Sequence, residues 1–569
     1  MLSRGLTDLT RLRRLRRLGA LAIAAAGLVN LVSATTPPLR DRLRFVRHLI
    51  PLEVPQAAAA LVALAGLGLL LLSRGLRRGQ RRAWRLSIVL LAGSALLHLV
   101  KGADLEEAAI AALGAALLVH NRDAFRVASD RGSALRAFVA PAIGAAVATL
   151  VGTITVEVWS QSRTRPPVAR AFVAVVERLA GLHTVALADR VGDFLDPALG
   201  AIGFGLTLGA GWLILRPLAA RRRGTDDLAR ARAMVRRHGG DTLTYFALRD
   251  DKRHFFFGET MVAYAVFNGV CLVSPDPVGP AHERAAAWAR FRAYADAHGW
   301  CVAVLGASEA WLPTYRSAGM RDLYVGDEAI VDVHRFSLAG GRAKGLRQAV
   351  NRVANHGYRV EFFDPARVSA ELERSLRAMT CESRGGDAER GFSMTLGRLF
   401  DRRDQGLLLA VAFGPDGVPA AFCHYVPAAA LEGYSLDLMH RTRGDHPNGV
   451  LDFVLVSTIE ELRSRGMRVL GLNFATMRAV LAGESGDGVP QRLQRWLLRR
   501  LSESMQIETL WRFTAKYQPE WVPRYVAYDG LEHVLPAALA IARAESFWEL
   551  PVVGRFLVPP AQPPVGVEA

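Results

Sequence analysis

Six long apolar stretches occupy the first 215 residues, and they constrain the fold more than any other feature of the sequence. They are Leu18–Ser33, Pro55–Leu72, Leu86–Val100, Leu105–Val119, Ala137–Val156 and Leu195–Leu215. A helix needs about 20 apolar residues to cross the ~30 Å hydrocarbon layer of a bilayer, and several stretches approach that length. We therefore predict an α-helical membrane domain over residues 1–217 with about six spans. The short fourth stretch, which carries Glu106 and Glu107 near its start, also suits a re-entrant or interfacial segment.

Positive charge is concentrated in the same part of the chain. Residues 1–223 carry a net charge of +17 and residues 224–569 carry +1. This division indicates membrane topology and anionic lipid rather than a nucleic-acid-binding surface spread over the whole protein. Arginines cluster in the segments that six spans place on one side, so we predict a cell-membrane protein whose N-terminus and C-terminal domain are cytoplasmic. The arginines of Pro37–Glu53 break the pattern, and an amphipathic helix lying on the membrane would account for them.

Cysteine and lysine usage narrows the chemistry. The four cysteines form no C-x-x-C pair and no histidine stands at metal-ligand spacing, so we expect buried thiols in a reducing compartment and no metal site. The chain has 67 Arg but only four Lys, at positions 101, 252, 344 and 516. These lysines are candidates for sites that need a compact ammonium, or they remain by chance.

From Thr225 onward, short β-rich runs alternate with amphipathic helices. Three consecutive strands followed by a helix and one more strand occur twice, which is the order of acyltransferases of the N-acetyltransferase type. We predict an α/β region of two tandem acetyltransferase-like units over residues 218–335 and 336–550, followed by a tail over 551–569. The prediction includes a strand at Leu243–Ala247 and a helix at Gln491–Leu501.

One basic motif marks the start of a predicted helix in the second unit. Lys344, Arg347 and Asn351 lie about one turn apart. The cations and the positive end of the helix would together suit the phosphate of an RNA backbone or a lipid headgroup. A solvated basic face explains the spacing equally well.

A second motif, Ser435-Leu-Asp-Leu-Met-His-Arg441, ends a predicted strand. Asp437 and Arg441 at the mouth of a sheet suit transfer chemistry. A carboxylate can bind an ammonium or take a hydroxyl proton, and a guanidinium can stabilise charge developing on a carbonyl or phosphate. An aspartate beside an arginine is nevertheless more often structural. Asp452, at the start of the predicted helix that follows, either takes part in the transfer chemistry or only caps that helix.

A third motif places the scarce Lys516 among aromatic residues, from Phe513 to Tyr525. The aromatic side chains suit either a wall on which bases stack or ordinary core packing.

Together these motifs resemble the aminoacyl-phosphatidylglycerol synthases, also called multiple peptide resistance factors or phosphatidylglycerol lysyltransferases. The resemblance covers about residues 225–550 and rests on F-S-L-x-G-x-x-x-K-G-L-R-Q-A-V-N-R, S-L-D-L-M with P-N-G-x-x-D-F, L-N-F-A, and R-F-x-A-K-Y-x-P-x-W-x-P-R-Y. It implies tandem acetyltransferase-like folding, a charged tRNA as donor and phosphatidylglycerol as acceptor at the cytoplasmic leaflet. It also implies functional positions for Asp437 and Lys516, with Lys344 and Arg347 as support.

The other binding candidates are polar side chains of the same motifs: Asn351, Ser435, His440, Asn448, Asp452, Tyr517 and Arg524. The family usually has Arg three residues after the Asp, where this chain has His440 followed by Arg441. Either Arg441 takes over that role or the handling of the donor is changed.

The implied reaction needs no cofactor, because the ester of an aminoacyl-tRNA is already activated and the lipid hydroxyl can attack it directly. We expect Asp437 to orient the aminoacyl ammonium or assist the hydroxyl proton, while Arg441 and Lys516 steady the phosphate or the oxyanion. This requires that the Asp437 carboxylate open to the bilayer or to solvent. The product would make the membrane less anionic and give resistance to cationic peptides, and a homo-oligomer is compatible with this activity.

Other functions remain open at this point. The run Arg441–His446 lies where coenzyme A enzymes hold the pyrophosphate, although His446 would crowd it. Aminoacyl transfer to a cell-wall precursor is a related alternative. A lipid translocase with a regulatory cytoplasmic domain is an alternative of another class. The sequence does not disclose which amino acid is transferred.

Overall fold

Two kinds of structure follow one another along the chain, an all-helical part and an α/β part. The computed structural model describes residues 2–35, 53–102, 104–127, 131–159, 166–182, 185, 189–214, 226–384, 391–476 and 512–545. These residues belong to two compact units, Met1–Ala219 with Ala293–Trp300, and Ala220–Arg292 with Cys301–Ala569. The predicted fold class, a helical region followed by an α/β region, is confirmed.

The helical part contains seven α-helices within the described residues. They are α1 (Leu2–Thr35), α2 (Glu53–Arg77), α3 (Arg81–Gly102), α4 (Leu105–His120), α5 (Arg131–Trp159), α6 (Val168–Leu179) and α7 (Asp189–Ile214). Helices α1 and α2 cross closely at Gly27 and Gly66, where a Cβ on either residue would come within 2.8 Å of the other's carbonyl oxygen. Small residues permit such an approach between membrane helices. A buried polar link adds to the packing, because Asn30 donates to Ser94 (2.7 Å) and lies 3.0 Å from His98 Nε2.

Three of these helices contain a segment that is long and apolar enough to cross a bilayer. The segments are Arg11–Ser33, Arg81–Leu99 and Pro141–Val158. A shorter apolar segment, Ala198–Gly209, lies in α7. All six predicted stretches lie largely on helices, but the count of six spans is not confirmed. Most of the predicted amphipathic helix at 37–53 and all of the tail at 551–569 lie outside the described residues.

The described residues of the α/β part form one sheet of eleven strands. They are β1 (Arg253–Phe257), β2 (Thr260–Phe267), β3 (Val270–Val273), β4 (Cys301–Ser308), β5 (Arg321–Asp332), β6 (Arg359–Phe363), β7 (Leu408–Phe413), β8 (Pro419–Ala428), β9 (Gly433–Arg441), β10 (Val469–Thr476) and β11 (Glu520–Tyr528). Their order across the sheet is β1-β2-β3-β4-β11-β5-β10-β9-β8-β7-β6. The α-helices that the structure describes in this part are α8 (Asp227–His238), α9 (Ala281–Ala297), α10 (Leu312–Ser317), α11 (Lys344–Asn355), α12 (Ala370–Arg384), α13 (Val450–Ser464) and α14 (Val534–Ala544).

The predicted repeat is visible in the strand pairing. In the first half β1, β2 and β3 are antiparallel, and helix α9 leads to β4, which is parallel to β3. In the second half β7, β8 and β9 are antiparallel, and helix α13 leads to β10, which is parallel to β9. The last strands are exchanged, because β5 pairs with β10 and β11 pairs with β4. The sheet is therefore continuous across residue 335, and the limits of the two predicted units stay a prediction.

Two hydrophobic layers cover the sheet of the second half. Leu346, Val350 and Val353 of α11 and the buried side of α13 pack on one face. Helix α12 packs on the other through Leu376 and Met379. The alternation of inward side chains along β7 and β8 assigns these faces, since neighbouring strand residues point in opposite directions.

One predicted element is wrong and another is not described. Residues Leu243–Ala247 do not form a strand, because Thr244–Leu248 is a 3-10 helix in which all five residues are buried. A short run that is apolar on every side cannot be assigned to strand or helix by its periodicity. The helix predicted at Gln491–Leu501 lies outside the described residues.

Candidate active site

Strands β9 and β10 diverge in the middle of the sheet. They run parallel, but only Gly433–Ser435 pair with Val469–Gly471. Beyond these residues β9 continues to Arg441 and β10 to Thr476 without pairing to each other. The backbones therefore leave a gap in the sheet whose mouth is formed by the second motif of the sequence.

Each of the two diverging strands carries a β-bulge beside the gap. On β9 the register changes between Leu436, opposite Tyr425, and Leu438, opposite His424, which leaves Asp437 as the extra residue. On β10 the register changes between Gly471 and Phe474, and Asn473 adopts a left-handed backbone with φ of 70°. A bulge re-aims the side chain of the extra residue and is common next to active sites.

The Asp437 carboxylate is fully occupied inside the protein. Its Oδ1 accepts a hydrogen bond from the backbone N–H of Leu396 (2.7 Å), and its Oδ2 lies 2.7 Å from His424 Nδ1. Both side chains are 0% exposed. The structure thus differs from the expectation that this acid opens to bilayer or solvent. We revise its role from direct contact with substrate to positioning of His424 and of the segment Gly391–Leu396.

His424 is the functional candidate that sequence reasoning missed. Its Nε2 is buried and has no hydrogen-bond partner among the residues that the structure describes, where the ring is held through Nδ1 by Asp437. The pairing of β8 with β9 could have identified it from the sequence, because this hairpin brings His424 almost opposite Asp437. Tyr425 points to the other face of the sheet, where its hydroxyl donates to Thr458 of α13 (3.1 Å).

A second cluster, on the α13 face, is open to solvent. Lys516 Nζ lies 3.3 Å from both carboxylate oxygens of Asp452, which belongs to the first turn of α13. The Tyr517 hydroxyl donates to Asp452 Oδ1 (2.6 Å), and the Phe513 ring centre is 4.7 Å from Nζ. The Lys516 side chain is 43% exposed and that of Asp452 is 10% exposed. Burial, followed by the nearby Asp452 charge, raises the pKa of Tyr517 well above its usual value, so the hydroxyl stays protonated and keeps donating.

These contacts give the Asp452 cluster defined chemistry. The carboxylate is held from two sides, by a cation and by a neutral hydroxyl donor. The Lys516 side chain is 43% exposed, so its ammonium group is accessible to a ligand. A base and a cation in this arrangement suit attack by a hydroxyl on an ester, where a proton is released and an oxyanion develops.

Helix α11 brings the basic motif next to this cluster. A Cβ on Gly449 would come 2.8 Å from Ala349, so α11 packs directly against the entry to α13. Lys344 and Asn351 are exposed, as an electrostatic surface for phosphate requires. Arg347 is half-buried and donates to the carbonyl oxygens of Leu338 (2.5 Å) and Gly340 (3.3 Å), which makes it a support of the preceding loop.

The predicted binding residues that follow Asp437 in the sequence differ in their contacts and exposure. His440 Nδ1 lies 3.1 Å from Ser383 Oγ of α12. The Arg441 guanidinium is exposed and makes no hydrogen bond within the described part of the chain, so it is available to a ligand at the mouth of the gap. Asn448 is exposed, and its carbonyl oxygen accepts from Arg352 (3.3 Å). His446 is held by Tyr358 (2.9 Å) and Thr442, which fixes the loop between β9 and α13.

Two further predicted binding residues are buried. Arg524 on β11 donates to Glu328 (2.6 Å) and forms an ion pair with Asp241 (2.7 Å). Burial alone would raise the pKa of Asp241, but the charge and hydrogen bond of Arg524, together with hydrogen bonds from Thr244 and Leu243, lower that pKa overall. Arg524 therefore ties β11 to the first half and is not available to substrate. Ser435 is 0% exposed, with a hydroxyl that has no partner among the described residues.

The corresponding place in the first half is closed by its own side chains. The chain leaves β3 at Val273, and the Asp276 carboxylate then accepts hydrogen bonds from the Ser308 backbone (2.9 Å) and the Tyr315 hydroxyl. Burial raises the pKa of Asp276 to about 6. Within the described residues, the second half combines a gap, two bulges and an exposed lysine, which supports the prediction that it is the catalytic half.

Known proteins resemble both parts of the chain. Residues 232–528 match the family model for the phosphatidylglycerol lysyltransferase C-terminal region, and residues 11–209 match that for the transmembrane region of lysyl-tRNA synthetase. The lysylphosphatidylglycerol biosynthesis bifunctional protein LysX of Rhodococcus opacus is 34% identical over 448 residues, 77% of this chain and 40% of that protein. LysX of Mycobacterium marinum is 35% identical over 437 residues, 74% of this chain and 38% of that protein.

A solved structure supports the fold. L-PGS from Bacillus licheniformis superposes with a TM-score of 0.51 at 24% identity, covering 58% of this chain and 99% of that one. The chain spans about 40% of the length of the curated relatives it matches. Because the first of the two family models covers more than half of the chain, the chain belongs to the phosphatidylglycerol lysyltransferase family.

Proposed function

We propose that this protein transfers an aminoacyl group from aminoacyl-tRNA to the glycerol hydroxyl of phosphatidylglycerol. We assign lysine as the transferred amino acid, on the basis of the names of the relatives. The Asp452 cluster carries the proposal, because a supported carboxylate and a half-exposed ammonium lie together on the α13 face, next to the exposed basic side of α11.

The reaction balances without a cofactor. The lipid hydroxyl oxygen forms a bond to the ester carbonyl carbon, and the bond from that carbon to the ribose oxygen breaks. The proton of the lipid hydroxyl passes to Asp452 and then to the departing ribose oxygen. Lys516 stabilises the negative charge on the tetrahedral intermediate, which is the electrostatic term that usually contributes most.

The remaining residues position the two substrates. Lys344 and Arg441 are the exposed cations that we assign to the phosphates of the tRNA end or the lipid. Asp437 and His424 keep the β9 bulge in shape and thereby fix the mouth of the gap. The chain does this alone or as a homo-oligomer.

The membrane helices support a reaction at the lipid surface. We assign the N-terminus and the α/β part to the cytoplasm, where charged tRNA is available, by the distribution of arginine. Adding a lysyl group to phosphatidylglycerol replaces a net charge of −1 by +1, so the surface attracts cationic peptides less. Loss of the protein should therefore increase sensitivity to such peptides.

A direct test uses membranes that contain the full chain and a mixture of charged tRNAs with distinguishable labels. The proposal predicts that labelled lysine appears in the lipid extract and that ribonuclease treatment of the tRNA beforehand abolishes the label. Membranes without the chain are the control. Labelled lipid that is insensitive to ribonuclease, or no labelled lipid at all, contradicts the proposal.

A further inference from the structure

A cavity at one end of the helical part is lined by three arginines. Its volume is about 430 Å³, and its lining residues are Arg81, Trp84, Arg122, Asp123, Phe125 and Arg126. It lies where the connection between α2 and α3 meets the segment after α4. The contact is made by backbone hydrogen bonds from Arg81 N to Val127 O and from Val127 N to Gly79 O, both 2.9 Å.

The charges in the cavity are only partly satisfied. Arg126 forms an ion pair with Asp123, and this hydrogen bond is the main cause of the lowered pKa of that carboxyl. Arg81 and Arg122 are exposed and make no side-chain hydrogen bond within the described residues. The cavity therefore has a net charge of +2, with two guanidinium groups available for an anion.

The walls are aromatic and rigid. Phe125 is 2% exposed, and the Trp84 indole N–H donates to the Leu118 carbonyl (2.7 Å), which orients the ring. Aromatic side chains with their polar ends bonded are typical of the interface between hydrocarbon and water. Arg81 is also the first residue of a segment, Arg81–Leu99, that is long and apolar enough to cross the membrane. The cavity thus lies at the depth where lipid headgroups are found.

We propose that this cavity binds the phosphodiester headgroup of an anionic phospholipid, with phosphatidylglycerol as its occupant. Arg81 and Arg122 hold the phosphate, and Trp84 packs against the glycerol and the first methylenes, with Phe125 supporting the wall from the core. Basic pockets between membrane helices bind anionic headgroups in this way. The aromatic walls and the membrane-length helix favour lipid over the backbone of RNA. The identity of the lipid rests on the proposed function, whereas the preference for a phosphodiester anion does not.

The test measures binding without tRNA, so that it does not depend on catalysis. The purified full-length protein in detergent is mixed with short-chain phosphatidylglycerol or phosphatidylcholine, and lipid adducts are counted by native mass spectrometry. The variant is Arg81→Gln with Arg122→Gln. The matched control is Arg74→Gln with Arg77→Gln, since both are exposed, lie in the last turn of α2 and do not line the cavity.

We expect the cavity variant to bind phosphatidylglycerol about tenfold or more weakly, because each lost arginine costs about fivefold near a headgroup. Phosphatidylcholine binding and the control variant should not change. Equal loss in both variants, or no loss in either, overturns the proposal. So does inorganic phosphate, added as a separate ligand, that binds as tightly as the lipid. If this binding result holds while lysine transfer is absent, the proposed function fails and the lipid site stands.

Discussion

Replacing Asp437 by alanine separates a positioning role from a direct catalytic one. The change leaves the Leu396 N–H and His424 Nδ1 without partners in a region where both side chains of the pair are 0% exposed. A buried polar group that loses its partner costs about 1–3 kcal/mol, so the two together should cost about 2–6 kcal/mol. For a unit of this size that corresponds to a drop of roughly 3–8 °C in melting temperature.

Asp452→Asn is the contrasting variant. Its carbonyl oxygen can still accept from the Tyr517 hydroxyl, and its partner Lys516 is 43% exposed, so the lost ion pair should cost no more than about 1 kcal/mol. Loss of the base should lower the transfer rate by about 10²–10³ while the melting temperature changes by no more than about 3 °C. Asp437→Asn serves as a conservative control, since it retains an acceptor for Leu396 and a group that can bond to His424.

The assay is paired: thermal unfolding of the full-length protein, and transfer of labelled lysine from tRNA to phosphatidylglycerol. Asp437→Ala should lose both stability and rate, and Asp437→Asn should recover a large part of both. An Asp437→Ala protein that melts like the wild type yet transfers nothing would refute the positioning role and restore direct catalysis. An Asp452→Asn protein with the wild-type rate would refute the assignment of the base.

Three further variants test other parts of the account. Lys516→Met should lower the rate about 10²-fold or more with little change in melting temperature, whereas equal rates would remove Lys516 from the mechanism. Burial lowers the pKa of Lys252 to about 7 from its ordinary 10.5. Between pH 10.5 and pH 7 the unfolded state binds this proton and the folded state does not, so the folded state loses stability as pH falls across that range and loses no more below it. Lys252→Met should therefore gain about 2–3 kcal/mol relative to wild type between pH 9 and pH 6, and a pH-independent difference would contradict this. Gly66→Ala should cost about 1–3 kcal/mol because its Cβ would meet the Gly27 carbonyl at 2.7 Å, and Gly93→Ala, with open space around it, should cost nothing measurable.

The sequence predicted the fold through signals that are local. Apolar windows marked the helices, and the alternation of strands with amphipathic helices marked two series of the same order. The exchange of β5 and β11 between the halves was not predictable, because strand pairing between residues some 200 positions apart leaves no periodic trace. The strand prediction at Leu243–Ala247 failed for a different reason. The 3-10 helix Thr244–Leu248 is fully buried, and a short run without a polar face has no periodicity that distinguishes helix from strand.

The motifs predicted some of the contacts around the candidate site, and the roles of its residues stay predictions. The motifs identified Asp452, Lys516 and Tyr517, which the structure brings into contact. They did not reveal burial, so Asp437 and Arg524 were assigned to substrate although one pairs with His424 and the other with Glu328. A carboxylate or guanidinium in a motif looks the same in sequence whether its partner is a ligand or another side chain. Only the three-dimensional environment distinguishes these cases.

Single-turnover transfer tests the central claim most directly. Purified full-length protein is mixed with preformed radiolabelled lysyl-tRNA and vesicles of phosphatidylglycerol, and label is followed into the lipid phase. The account predicts rapid transfer by the wild type, none from ribonuclease-treated donor, and a rate about 10²–10³ lower for Asp452→Asn. Label that stays on tRNA with the wild-type protein, or enters the lipid equally fast with the variant, would contradict it.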